Sequence, residues 1–155
     1  MVNKTKNYAL IRKAVESDAN EISHLVANLS HFYLNDEQAD LPEWFANTLD
    51  IKEFKHRLSN DYFTHLVAVL NNQIAGYIAM RGENHLYHLF VAEQHQGKGI
   101  ARDLWQHMVS ISPSDSYTLR SSIHAIPVYQ QFGFIKDGES GERDGICYQE
   151  MLFKT

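Results

Sequence analysis

Apolar positions recur along this chain with two different spacings, and the spacing changes where the local structure should change. Tyr8–Ala14, "YALIRKA", is short and mostly apolar and predicts a strand. The next stretch, "SDANEISHLVANLS", places Ala19, Ile22, Leu25, Val26 and Leu29 on one side of a 3.6-residue period, which predicts a one-faced helix. Asp18 followed three residues later by Glu21 predicts an N-terminal capping pair for it. From Ser30 to Ser59 the chain turns polar and aromatic, with Pro42 and Trp44 in the middle. A loop with one or two short helices is expected there, the second near Asp50–Leu58. "HLVAVL" and "QIAGYIAM" are two apolar runs joined by Asn71-Asn72, and asparagine tolerates positive φ, so a β-hairpin is predicted. Both runs are apolar at nearly every position, which implies a sheet covered on both faces.

Further along, "HLYHLFV" (His85–Val91) predicts a strand. The helix expected after it carries Ile100, Leu104 and Met108 on one line, widened by Trp105 and Val109. "DSYTLRS" (Asp115–Ser121) reads as a strand, "HAIPVYQQFGF" as a short helix stopped by Gly133, and "ICYQEMLF" as a closing strand. No repeat, low-complexity tract or linker divides the chain. The expectation is one domain over residues 1–155, of mixed α/β (α+β) class.

Composition narrows this picture only slightly. The chain is 44% hydrophobic and 21% charged, as in ordinary globular proteins. A formal net charge of -5 argues against a nucleic-acid binder with a basic face. Cys147 stands alone, which excludes an internal disulfide framework and a thiolate zinc cage. No apolar run approaches the ~20 residues of a membrane span, and the start of the chain lacks a signal-peptide core. A cytoplasmic protein is expected.

The candidate chemistry lies at "VAEQHQGKGIAR" (Val91–Arg102), where Gly97 and Gly99 stand between a strand pattern and a helix pattern. Free amides at such a junction suit an anion, most often a phosphate. A dinucleotide fingerprint fails, because Arg102 stands where the third glycine belongs; a P-loop fails on the spacing of its glycines and on its Lys-Ser/Thr. What the residues do match is Gln96-Gly97-Lys98-Gly99-Ile100-Ala101, of the form Q/R-x-x-G-x-G/A. This hexapeptide resembles the coenzyme A loop of the GNAT family of N-acetyltransferases. "RSSIHAIPVYQQFGF" (Arg120–Phe134) is similar to a second segment of that family, A-x-P-x-Y-x-x-x-G-F after a small-residue turn. The order of elements agrees as well, with Ser30–Ser59 the least matched part.

The resemblance implies a mainly antiparallel sheet of six to seven strands flanked by about four helices. It implies acetyl-coenzyme A as co-substrate, no metal, and a small-molecule or peptide amine as acceptor, with neither nucleic acid nor membrane as partner and a homodimer left open. It further implies that the strand before the glycines carries a bulge and diverges from the strand after the helix. Leu89, Phe90 and Val91 then offer main-chain bonds to the pantetheine arm, and the Val91 amide polarises the thioester carbonyl. Gly97 to Arg102 hold the pyrophosphate through their amides, helped by the charges of Lys98 and Arg102. Tyr129 occupies the place of the family's tyrosine near the sulfur, where a proton donor assists the departing thiolate. Ser122 stands where many relatives have asparagine, which leaves its cofactor contact in doubt. His85, eleven residues before Gln96, is the candidate base, with Glu83 just outside the same strand. His85 and His88 have no helical spacing or third ligand that would suggest a metal. The acceptor is expected at Ser30–Phe45, where Asp36, Glu37 and Asp40 stand among aromatics and suit a cationic amine or equally a solvated loop. Aminoglycoside, polyamine, amino acid and protein lysine all stay open. A non-catalytic acyl-coenzyme A binding module is the alternative reading.

Overall fold

The computed structural model describes residues 9–34, 36 and 38–155. The hairpin signals become a meander of β2 (Phe63–Leu70), β3 (Gln73–Arg81) and β4 (His85–Val91). Asn71 and Asn72 both take positive φ, 53° and 62°, which matches the twist of the strands they join. β1 (Leu10–Lys13) pairs antiparallel with β2, and Tyr8 of the expected first strand lies outside the described residues. β5 (Ser116–Ser121), β6 (Ile135–Lys136), β7 (Gly141–Arg143) and β8 (Ile146–Lys154) complete a sheet ordered β1-β2-β3-β4-β5-β8-β6, with β7 paired to β8. All pairs are antiparallel except β4 with β5. The eight strands among the described residues exceed the expected six to seven because β6 and β7 have two and three residues. Strands that short carry no periodicity to read.

Among the described residues five α-helices flank the sheet: α1 (Ala19–Leu29), α2 (Glu43–Thr48), α3 (Ile51–Leu58), α4 (Ile100–Ile111) and α5 (Ile126–Phe132). Alternation along β2 and β3 sends side chains to two cores. Leu66, Ala68, Ile78 and Met80 meet Leu104, Met108 and Tyr129 on one face; Val67, Tyr77 and Ala79 meet Ile22, Val26 and Phe54 on the other. Both faces are therefore covered, as the continuous apolar runs require. Gly76 on β3 sets the depth of α4: a Cβ there would stand 3.0 Å from both Ile100 and Leu104. The expected capping pair of α1 forms differently. Asp18 accepts from Arg12 and from the Val15 amide, while Glu21 reaches across to the Ile74 amide. Both carboxylates tie the helix to other elements rather than to its own end.

Candidate active site

The parallel pairing of β4 with β5 covers only His85↔Thr118 and Leu86↔Leu119, so the two strands separate beyond that point. The separation begins at a bulge: Ala79 pairs with His88 and Met80 with Leu86, leaving Tyr87 as the extra residue. Past the bulge, the Ala92 amide donates to the Ala75 carbonyl at 2.8 Å, which turns it toward β3. Alternation then turns the main-chain groups of Leu89 and Val91 the other way, into the gap. Phe90, between them, bonds β3 with its main chain and packs its ring on Tyr33 and His88 in the opposite layer. Of the three residues expected along the pantetheine arm, two face the gap and Phe90 does not. Their side chains fit the same division, since Leu89 and Val91 line a cavity of about 450 Å3 and Phe90 is absent from its wall.

The glycine loop forms one end of that cavity. Gly97 and Gly99 have φ of 77° and 85°, the left-handed region, and an added Cβ would meet nothing within 4 Å at either. Gly99 is the N-cap of α4, whose first internal bond is Asp103 N to Gly99 O at 3.0 Å. Among the described residues the amides from Gly97 to Arg102 have no hydrogen-bond acceptor, those of Ile100 to Arg102 because the first turn of a helix leaves them free. These free donors, added to the positive end of a twelve-residue helix, form an anion cradle with open space in front of it. Arg102, Ala101 and Ile100 line the cavity; Lys98 is exposed and lies outside its wall. Gln96 also lines it, but its Nε2 donates to the Val91 carbonyl at 3.1 Å, pinning the loop to β4. His95, which the sequence did not single out, lines the cavity with a buried Nδ1 that has no hydrogen-bond partner.

The other wall is α5. Its first turn carries Pro127, and Gly133 ends it at φ 107°, where a Cβ would drive into the Phe153 ring. The buried Ser122 hydroxyl accepts from the Ala125 amide at 3.2 Å and does not line the cavity. Its hydroxyl thus closes the turn that leads into α5. Tyr129 projects from α5 into the cavity with 8% exposure, its ring edge-on to Phe132 and Phe134. Burial pushes its hydroxyl well above the usual tyrosine range, and Tyr33 adds to the shift. The group therefore stays protonated at neutral pH, the state a proton donor needs.

His85 is elsewhere. It stands at the start of β4, four residues or about 13 Å of strand before Leu89, with Nδ1 2.8 Å from Thr118 Oγ1. Burial lowers its pKa, and the nearby Arg81 and Arg120 charges lower it further. It does not line the cavity.

Across the gap, the described part of the expected acceptor segment brings aromatic side chains together. Tyr33, in a short turn after α1, lies 5.4 Å from Phe45 and 6.2 Å from Phe90, centroid to centroid. Burial first, and Tyr87 second, push its hydroxyl up to about 12. Phe32 stacks at 4.7 Å on His124, a residue of the cavity wall. Trp44 donates to Asp144 at 2.8 Å and lies under the Arg143 guanidinium at 4.1 Å, while Leu34 bridges to Ile146. Segment 30–48 is thus clasped to the β7–β8 turn, a hundred residues away. Asp36 accepts from the Gln38 amide of its own turn, Asp40 is exposed, and Glu37 lies outside the described residues. The aromatic partners were missed because nothing local in the sequence announces a contact between Trp44 and Asp144.

The comparisons with known proteins agree with this geometry. The profile of the acetyltransferase (GNAT) domain matches residues 33–155. Among curated protein sequences none matches the chain significantly. Among solved structures, the PaiA N-acetyltransferase of Thermoplasma acidophilum, in complex with coenzyme A, superposes with a TM-score of 0.75 at 16% identity, covering 94% of this chain and 98% of its own. A GNAT-type protein from Rhodopseudomonas palustris gives 0.69 at 19% identity, over 100% and 99%. The ribosomal-protein-alanine N-acetyltransferase of Brucella melitensis gives 0.70 at 21%, over 94% and 99%. At such identities these likenesses establish the fold, and the domain match establishes kinship: the chain belongs to the GNAT family of acetyltransferases.

Proposed function

We propose that this protein transfers the acetyl group of acetyl-coenzyme A to a primary amine by direct attack within a ternary complex. The observation that carries the reading is the cavity itself. A cradle of free amides at the N-terminus of α4 opens along the outward main chain of Leu89 and Val91 onto the Tyr129 hydroxyl. The residues fit the co-substrate: glycines whose missing Cβ leaves room for a pyrophosphate, an extended edge for an amide-bearing arm, and a donor at the far end. In this reading the Val91 amide polarises the thioester carbonyl and stabilises the oxyanion that develops on attack, while the Leu89 main chain bonds the pantetheine arm further along. Tyr129 gives a proton to the departing thiolate. The acceptor enters from the side of Tyr33 and Phe90, and His85 serves as base only through intervening water.

Thiol release from acetyl-coenzyme A across a panel of amines tests this. Amine-dependent release with burst-free, sequential kinetics is the expected outcome. Tight acetyl-coenzyme A binding with no release for any amine would identify a binding module instead.

A further inference from the structure

One residue of the cavity wall is also attached to the acceptor segment. His124 lines the cavity from the turn before α5 and is exposed to solvent. Its ring stacks on Phe32, the residue before Tyr33, at 4.7 Å with 9° between the planes. Tyr129, whose amide bonds back to Ala125 at 3.4 Å, lines the same cavity, and Tyr33 is near enough to raise its pKa. Residues 32 and 33 therefore meet residues 124 and 129 side by side, where the cavity adjoins the segment expected to receive the acceptor. Among the described residues the hydrogen bonds of histidine rings belong to His65, His85 and His107, so both nitrogens of His124 are open to a ligand.

The transfer needs a proton acceptor at this place. An amine attacks only when neutral, and an alkylamine arrives at neutral pH as an ammonium ion. Four lining side chains carry charge or exchange protons: His95, Arg102, His124 and Tyr129. A guanidinium has no acceptor to offer, and burial keeps the Tyr129 hydroxyl protonated. Tyr33, pushed up to about 12 by burial, keeps its proton as well. His95 stands in the turn into the glycine loop, at the anion end of the cavity, and its Nδ1 is buried. His124 stands between the cavity and the acceptor segment, with solvent beside it to carry a proton away. Histidine is also the side chain type whose protonation changes near neutral pH.

We propose that His124 takes the proton from the incoming ammonium ion and so delivers the acceptor to the thioester as a neutral amine. The inference rests on the acetyltransferase reading above and adds a residue to its chemistry. The nitrogen loses two protons in all. The first passes to His124 and from there to solvent. The nitrogen then bonds the carbonyl carbon, and the carbon–sulfur bond breaks as the thiolate takes the proton of Tyr129. The second proton leaves the nitrogen through the water that connects His85 in that reading, and returns to Tyr129. One proton is released for each acetyl group transferred, as an ammonium ion and a thioester become an amide and a thiol. The titratable and charged groups around His124 are His31 and Tyr33 in the turn after α1, Tyr129 on α5, and His95 and Arg102 in the cavity wall.

The test compares nucleophiles of one shape that differ in charge at neutral pH. Benzylamine, an ammonium ion, is set against phenylhydrazine, which is neutral, and ethylamine against methoxyamine in the same way. Thiol release from acetyl-coenzyme A, above the rate without protein, gives kcat/KM for wild type, His124→Phe and His124→Gln. His124→Phe keeps a ring on Phe32, and because His124 is exposed neither substitution opens the core. In both variants the ammonium member of a pair should lose about 100-fold, within the usual range of general base catalysis, and the neutral member less than about threefold. The loss should shrink as pH rises, since solution then supplies the neutral amine. One reacting pair is enough to decide. Losses that differ by less than about tenfold within a pair overturn the proposal and reduce His124 to a packing partner of Phe32. So does silence from all four nucleophiles while other amines react. Silence from every amine while acetyl-coenzyme A binds overturns the parent reading, and this inference with it.

Discussion

On the α4–α5 side of the β4–β5 gap, the cavity ends in main-chain groups: amides of a helix start, strand edges at Leu89 and Val91, and turns set by glycine. On the α1–α3 side, outside that cavity, the gap is bordered by side chains, Tyr33, Phe45, Phe90 and Trp44, drawn from segments far apart in sequence and clasped by Trp44–Asp144. A main-chain site depends on local φ and on the absence of Cβ atoms, so few substitutions outside the glycines disturb it. A side-chain site depends on tertiary contacts and can be retuned one residue at a time. The contrast fits a fold with a constant co-substrate on one side and a variable acceptor on the other.

The comparison can be broken most sharply at Tyr129, which bridges the two sides. Tyr129→Phe keeps the ring on Phe132 and Phe134 and removes only the donor. Turnover should fall about 10–1000-fold with acetyl-coenzyme A affinity nearly unchanged, since the interaction grows toward the transition state. The loss should widen as pH rises, because solvent then offers the thiolate fewer protons. Unchanged turnover on the true acceptor would reduce Tyr129 to a packing residue.

A smaller effect belongs to the clasp. Trp44→Ala removes the bond to Asp144 and the surface under Arg143. The acceptor KM should rise several-fold, in the range of about 1 kcal/mol of lost positioning, while acetyl-coenzyme A binding measured by calorimetry should not move. Equal losses for both ligands would contradict the independence of the two walls.

The smallest effect is one of stability. His65, His85 and His88 all have pKa values lowered chiefly by burial. The unfolded chain takes up their protons near pH 6.5, and the folded chain only at lower pH. Stability from these groups is therefore complete above about pH 6.5 and lost as pH falls. Thermal melts should decline by several degrees between about pH 7 and pH 5, before carboxylates such as Asp18, held below its usual range by Arg12, begin to titrate. A flat melting temperature over that interval would show that these rings are solvated.

The two walls also differed in how far the sequence exposed them. Gly97, Gly99 and Gly133 are readable because left-handed φ has few solutions other than glycine, and the strand and helix patterns on either side fix where the turn points. The bulge at Tyr87 and the separation of β4 from β5 were expected from resemblance alone; no spacing in "HLYHLFV" marks the extra residue. The reversal of Phe90 followed from strand alternation and was available in principle. For Ser122 and His85 the chain order gave a position but no partner: Ser122 accepts from the Ala125 amide and His85 pairs with Thr118, contacts settled in three dimensions. The pairing of Trp44 with Asp144 left no local mark, because it acquires meaning only from a contact across the fold.

The central claim is that the open-faced amides of the glycine loop hold the phosphates of acetyl-coenzyme A. Calorimetric titration of acetyl-coenzyme A into wild type and Gly99→Val tests it most directly. The β-branched side chain adds strain of about 1–3 kcal/mol at a left-handed φ and fills the space in front of the α4 amides. Binding should be abolished in the variant, with the sheet still folded by circular dichroism. Wild-type affinity in Gly99→Val would contradict the account, because the phosphates would then have to be held elsewhere.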